Sequence, residues 1–248
     1  MTPHEFGAVI IGDELLSGRR RDTHMPFLID TLGARGLALA WARFVGDEAD
    51  LLTETLRQTR ARPAVVFCFG GIGATPDDIT RPCAAAAFER PLTHHPEFVA
   101  ILERKFGDAA YPYRVHMAEL PAGAALIPNP VNGIPGFSVG HHHFLPGFPD
   151  MAHPMVEWVL DTRYADLRPA EPPVTERLQV RDCAESRLVP ILEAVQRAHP
   201  AVKLASLPAT GERTRVELGL TGPAPAVAAA RSALEDALRA EGIAFQPL

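Results

Sequence analysis

Residues 64–69, AVVFCF, are apolar at every position, and the chain then turns through Gly70, Gly71 and Gly73. A strand sends successive side chains to opposite faces, so a run apolar on both must be covered from both sides. Parallel sheets flanked by helices provide that cover. Two earlier runs, Phe6–Ile11 and Leu39–Val45, read as further strands. Helical spacing lies between them: Phe27, Leu28 and Leu32 within 25–35, closed by Gly36, and Leu51, Leu52, Thr55, Leu56 and Thr59 within 48–60. Strands alternating with helices predict a three-layer α/β domain with a largely parallel sheet.

Helical stretches follow at 82–88 and 96–106, and then a Pro/Gly-rich region over 121–149 with short apolar pieces, AALI and HHFL. That region is expected to hold loops and strand ends. A helix is expected over 149–160, with Pro154 limiting its regularity. Prolines cluster in RPAEPPV, 168–174, which marks a boundary between a domain over 1–168 and a second over 172–248. Beyond it the order is strand 175–180, helix 186–198, strand 202–207, strand 214–220, helix 224–240 and a short strand at 243–246. That is the split β-α-β-β-α-β order of a small α+β, ferredoxin-like domain.

Of 248 residues, 24 are Lys or Arg and 30 are Asp or Glu, a formal net charge of -6. Nucleic-acid binding by bulk charge is not expected at that balance. Three cysteines without C-x-x-C spacing indicate neither a disulfide framework nor a zinc site, and fit a reducing cytoplasm. MTPHEFGAVIIGDELL has no basic region ahead of a long apolar stretch, so no signal peptide is expected. No run approaches the roughly 20 apolar residues of a membrane helix.

The first strand leads into Gly12, Asp13 and Glu14, the second into Gly46 and Asp47, and the third into Gly70, Gly71 and Gly73. Ligands of open parallel sheets bind at the carboxyl ends of the strands, so these three ends converge on one region. Each residue type alone is ordinary turn chemistry; three such ends together point to a site. The glycines let backbone amides approach an anion, and Thr80 is placed to cap a following helix whose N-terminus also attracts phosphate. Asp77 and Asp78 would repel a bare phosphate. A divalent cation between them, Mg²⁺ for example, reconciles the two features, since Mg²⁺ is held by one or two carboxylates plus ligand phosphates. The bland alternative makes Asp78 a helix-dipole partner and Asp77 a solvated turn residue. The loop lacks the G-K-[ST] of a Walker A motif and is not G-x-G-x-x-G.

GGIGATPDDIT, with IGDELLSGRRRDTH, NPVNGIPGF and LPGFPDM, resembles the molybdopterin-binding (MoaB/Mog-like) domain. In particular it resembles the branch at the N-terminus of competence/damage-inducible protein A (CinA), also fused to eukaryotic FAD synthases. The four motifs span residues 5–160 in the family's order. Ala74 stands where Pro is usual, His24 where Asn is frequent and Asp150 where Glu is usual. No counterpart of the carboxy-terminal nicotinamide-nucleotide amidase domain of full-length relatives is expected within residues 1–248, so that activity is not carried over. The resemblance implies one of two activities: adenylylation of molybdopterin with Mg-ATP, or metal-dependent pyrophosphatase action on ADP-ribose or FAD. Both involve a diphosphate, a divalent metal (Mg or Co) and acidic residues beside a glycine loop. The motifs add Ser17, Thr75, Pro146 and Gly147 to the ligand-binding candidates.

The expected site therefore has Asp77, Asp78 and Glu14 as catalytic residues, and Asp13, Asp77 and Asp78 as metal ligands. Gly12, Asp13, Ser17, Asp47, Gly70, Gly71, Gly73, Thr75, Thr80, Pro146 and Gly147 are expected to bind the ligand. The function expected is a metal-dependent nucleotide diphosphate hydrolase. A pterin-binding or adenylylating protein and a non-catalytic binding module are the alternatives. A small-molecule partner, a homo-oligomer and a cytoplasmic location complete the expectation. Arg19, Arg20 and Arg21 could neutralise phosphate, although a basic run on a loop is usually a solvated face. His141, His142 and His143 invite a metal reading, but only His141 and His143 share a strand face, and an exposed strand is expected there.

Overall fold

The computed structural model describes residues 5–209 and 215–248. Position 214, expected at the start of a strand, lies outside the described residues. The chain divides into two compact units, Met1–Arg168 and Pro169–Leu248.

In the first unit, β1 (Glu5–Ile11), β2 (Leu39–Val45) and β3 (Ala64–Phe69) alternate with α1 (Asp13–Leu16), α2 (His24–Gly33) and α3 (Ala49–Arg60). α4 (Thr80–Ala87), β4 (Leu92–His94), α5 (Pro96–Phe106) and β5 (Glu119–Pro121) follow. β6 (Ala125–Ile127), β7 (Gly136–Val139), β8 (His142–Leu145) and α6 (Pro149–Arg163) complete it. The main sheet has the order β2-β1-β3-β8-β7-β6. β1, β2, β3 and β8 run parallel, and β7 is antiparallel to both β8 and β6. β4 and β5 form a separate antiparallel pair.

Alternation within the strands builds a core on each face of this sheet. Val9, Val66, Cys68 and Phe144 pack with Leu52 and Leu56 of α3, Ala84 of α4 and Phe98 of α5. Ala8, Ile10, Val65 and Phe67 pack with Leu28 and Leu32 of α2 and Met155, Val156 and Val159 of α6. The result is three layers, helices on a largely parallel sheet on helices. Pro154 does not end α6, which runs on to Arg163 because Met155, Val156, Val159 and Leu160 keep it anchored in the core.

One expectation about β8 is overturned. His142 and His143 are 3% and 0% exposed rather than on an exposed strand, because β8 lies inside the sheet with helices on both sides. The His142 ring shares a hydrogen bond with the Thr59 hydroxyl of α3 at 2.9 Å. On the other face, His143 bridges Ser138 and Tyr164, each at 2.8 Å, and His141 meets the same Tyr164 hydroxyl at 3.0 Å. Burial pushes His142 down to about 3 and His143 well below the usual imidazole range, so both are held neutral.

The second unit comprises β9 (Val174–Arg181), α7 (Glu185–Ala198), β10 (Lys203–Ala209), β11 (Arg215–Gly222), α8 (Ala224–Ala240) and β12 (Phe245–Pro247). Its sheet has the order β10-β11-β9-β12, with every pair antiparallel. That is the ferredoxin-like arrangement. Leu178, Val180, Val216, Leu218 and Leu220 on one sheet face bury against Leu188 of α7 and Leu234 of α8.

Among the described residues, no helix is long and apolar enough to cross a membrane.

Candidate functional site

The carboxyl ends of β1, β2, β3 and β8 open onto a cavity of about 480 Å³. Its walls bring together Gly12, Glu14, Asp47, Gly70, Gly71, Gly73, Thr75, Asp77, Asp78, Pro146 and Gly147. Three further candidates, Asp13, Ser17 and Thr80, stand outside the lining.

The glycine loop owes its shape to the absence of Cβ atoms. Gly70 and Gly71 have φ of 105° and 65°, conformations that residues with a Cβ rarely adopt. A Cβ on Gly70 would strike the Ile11 carbonyl, and one on Gly71 would strike the Thr80 hydroxyl. Thr80 is that close because its hydroxyl donates to the Gly70 carbonyl at 2.9 Å, while its amide donates to the Gly71 carbonyl at 3.0 Å. Thr80 thus clamps the loop from below; it is not the helix cap expected of it, since the cap position is Ile79. Among the described residues, the amides of Gly71, Ile72, Gly73 and Ala74 donate no hydrogen bond to the protein. Consecutive free amides beside a cavity are available to an anion.

The carboxylates divide by what they hold. Asp13 accepts a hydrogen bond from the Asp47 amide at 3.1 Å, and Asp47 accepts one from the Asp13 amide at 3.0 Å. This exchange ties the end of β1 to the end of β2, and it needs Gly46, where a Cβ would come within 2.5 Å of the Asp13 carboxylate. Asp78 accepts from both the amide and the hydroxyl of Thr75, at 2.8 and 2.5 Å, which closes the turn over Pro76. Asp13 and Asp78, two of the three expected metal ligands, therefore each commit an oxygen to loop structure. Asp77 is exposed at the cavity rim, and hydrogen bonding within the loop holds its carboxyl below the usual range. Glu14 reaches back over Gly12. Partial burial raises the Asp47 carboxyl, and Asp13, Glu14 and Asp77 add repulsion that raises it further.

Arg81, just inside α4, is not marked by any motif in the sequence. It is 6% exposed, and its guanidinium donates to the Gly73 carbonyl at 2.7 Å and to the His116 carbonyl. Burial lowers its pKa, while the carboxylates of Asp78 and Glu119 oppose that fall. An arginine in the first turn of a helix sits at the unfavourable end of the dipole, and this was the available signal that it has other work. Of the arginine run, Arg20 lines the cavity and lies 6.0 Å from the ring centre of Phe148, whereas Arg19 turns to the Ser17 hydroxyl at 3.2 Å. His24 is buried, stacks on Phe69 at 4.2 Å and meets the Gly147 carbonyl at 3.3 Å, linking α2 to the turn after β8.

A metal can be weighed against this donor set. Among the described residues, no three His, Cys, Asp or Glu side chains are gathered as a ready cage. Glu14, Asp47 and Asp77 nevertheless face one cavity, and their mutual repulsion at Asp47 is what a cation would relieve. One or two of them plus ligand phosphate oxygens suit a hard divalent ion.

Comparison with known proteins places this geometry in a family. A CinA-like protein of Anaeromyxobacter sp. (strain K) is 40% identical over 157 residues, covering 60% of this chain and 38% of the relative. A CinA-like protein of Escherichia coli O9:H4 (strain HS) is 35% identical over 224 residues, covering 86% of this chain and 54% of the relative. The chain thus spans about half, or less, of the length of these curated relatives. The crystal structure of the protein CinA, of unknown function, from Thermoplasma acidophilum superposes with a TM-score of 0.58 at 27% identity. That match covers 66% of this chain and 98% of the other. Residues 7–166 match the family described as "probable molybdopterin binding domain". The chain belongs to that molybdopterin-binding domain family.

Proposed function

We propose that this chain hydrolyses a nucleotide diphosphate of the ADP-ribose type in a reaction that depends on a divalent cation. The observation that carries the reading is the meeting, in one cavity, of four free loop amides and the carboxylates Glu14, Asp47 and Asp77. Amides alone would suit a simple anion site, and carboxylates alone a cation site. Together they suit a diphosphate accompanied by a cation.

The Gly71–Ala74 amides hold the diphosphate, and Arg20 at the rim adds positive charge on the outer side. Asp47 and Asp77, with the free oxygen of Asp78, would hold the cation, which when bound would supply polarisation of a phosphoryl oxygen. Asp13 keeps Asp47 in place through their paired amide contacts. Glu14 accepts the proton of an attacking water. The water oxygen bonds to one phosphorus and the bridging P–O bond breaks. The bridging oxygen leaves with the other phosphate, giving AMP and ribose 5-phosphate from ADP-ribose. Asp77 and Asp78 thus act chiefly through the cation, and Glu14 acts on the nucleophile.

A second reading has the family description in its favour: a protein that binds a pterin, with or without adenylylating it. Purified protein incubated with Mg²⁺ or Co²⁺ and each of ADP-ribose, FAD, ATP and molybdopterin separates the two. The proposal expects AMP from ADP-ribose or FAD only when metal is present. Transfer of AMP from ATP to molybdopterin with release of pyrophosphate, and no AMP from ADP-ribose or FAD, would favour the second reading. Binding without turnover of any of them would make the chain a binding module.

A further inference from the structure

The sheet of the second unit has two unlike faces. Leu178, Val180, Val216, Leu218 and Leu220 point inward and are buried under α7 and α8. The positions between them point the other way and are exposed or half-buried. Strand register carries these outward positions into rows. Arg181 stands opposite Arg215, Gln179 lies between Glu217 and Gln246, Arg177 is opposite Gly219, and Lys203 is opposite Thr221.

Charge on this face departs from the balance of the unit. Residues 169–248 include nine Lys or Arg and ten Asp or Glu. The outward strand positions nevertheless hold Arg177, Arg181, Lys203 and Arg215 against one acid, Glu217. Glu217 meets Arg177 at 3.5 Å. Among the described residues, Arg181, Lys203 and Arg215 form no ion pair. Arg181 and Arg215 are direct partners across β9 and β11, and like charges so placed cost stability. An anion that reaches both relieves that cost, because each guanidinium offers charge-assisted donors. Arg181 is already oriented, since its Nε donates to Gln179 Oε1 at 3.2 Å. The same oxygen accepts from Gln246 Nε2 at 3.4 Å.

We infer that this open sheet face binds single-stranded nucleic acid, with Arg181 and Arg215 sharing a phosphate, Arg177 and Lys203 meeting others, and the Gln179 and Gln246 amides reaching unpaired base edges. The basic positions extend over about 20 Å along the strands, room for several nucleotides. Guanidiniums and side-chain amides are the groups that contact phosphates and base edges. A membrane surface or a protein interface core would call for apolar and aromatic anchors, and no outward strand position carries an aromatic ring. Without a ring to stack on, binding is weak, tolerant of sequence and governed by charge. The net charge of -6 opposes it only at long range, because physiological salt screens charges beyond about 8 Å. The proposal is independent of the cavity in the first unit.

The test follows fluorescence anisotropy of a labelled single strand of about 12 nucleotides with the full chain. Three or four phosphate contacts predict a slope of about -2 to -3 for log affinity against log salt. Replacing both Arg181→Gln and Arg215→Gln in one chain should weaken binding at least about tenfold at about 50 mM salt and make the slope shallower by about 1. Arg187→Gln, an exposed position on α7, should stay within about twofold of wild type. The melting temperature of the double variant should hold or rise, since a like-charge pair is gone; that separates lost binding from lost folding. No binding by the wild type at about 50 mM salt, or an equal loss in Arg187→Gln, overturns the inference. Equal or tighter binding of the same sequence as a duplex, of polyglutamate or of phosphatidylserine vesicles overturns the assignment to a single strand.

Discussion

Two clusters of titratable side chains are carried by the same sheet. At the carboxyl ends of the strands, Glu14, Asp47 and Asp77 face a cavity and are stabilised by loops and solvent. Along β8, His142 and His143 are sealed between helices, each ring tied to a hydroxyl of Thr59, Ser138 or Tyr164. Among the described residues, none of the three carboxylates of the first cluster forms an ion pair with a basic side chain. The second has partners for its polar atoms and no charge. Residue type does not separate a functional cluster from a structural one; the supply of partners does.

The largest expected effect belongs to the buried cluster. The unfolded chain protonates a histidine near 6.5, whereas the folded chain holds His142 neutral down to about 3 and His143 neutral well below the usual range. A depressed folded value means that the stability is present above 6.5 and is lost as pH falls below it. Between about pH 7.5 and pH 5 each histidine costs about 2 kcal/mol, and the pair about 4 kcal/mol. Thermal melts at the two pH values should differ by roughly 10 °C. A melting temperature that does not move would mean these rings are solvated in the native state.

The next effect tests whether the glycine loop is a built feature. Gly71→Ala meets both a φ of 65° and the Thr80 hydroxyl, while Gly133→Ala meets a φ of 73° with nothing within 4 Å. The first should cost about 1–3 kcal/mol and abolish pyrophosphate binding. The second should cost about 1 kcal/mol and leave binding alone. Equal losses of stability, measured by denaturant titration, would mean that Thr80 does not clamp the loop.

A smaller difference separates the adjacent aspartates. Asp78→Asn weakens two contacts to Thr75 and should lower stability by about 1 kcal/mol. Asp77→Asn, at the exposed rim, should leave the melt of the ligand-free protein in place. Reversed effects would exchange their assigned roles.

How far these roles can be read from the residues alone varies with the distance over which each is set. Strands such as AVVFCF and the helices of both units follow from local periodicity, and so their positions are legible. β7, four residues from Gly136 to Val139, is hidden within a Pro/Gly-rich stretch and is too short to show a period. The glycines and carboxylates at three strand ends announce the cavity because topology alone brings those ends together. Arg81 does not announce its place, and Thr80 announces a cap rather than the clamp it forms, since each acts on residues brought to it by folding. His142 and His143 mislead for the same reason: only the position of β8 inside the sheet makes them core.

The most direct measurement crosses the two clusters. Rates of ADP-ribose hydrolysis in saturating Mg²⁺ and melts of the ligand-free protein are compared for Asp77→Asn and Tyr164→Phe. Asp77→Asn is expected to lose at least about tenfold in rate without a change in melting temperature. Tyr164→Phe, which removes the hydroxyl between His141 and His143, should lower the melting temperature and keep its rate. An Asp77→Asn protein with the wild-type rate and metal dependence would contradict the assignment of the open carboxylates to chemistry.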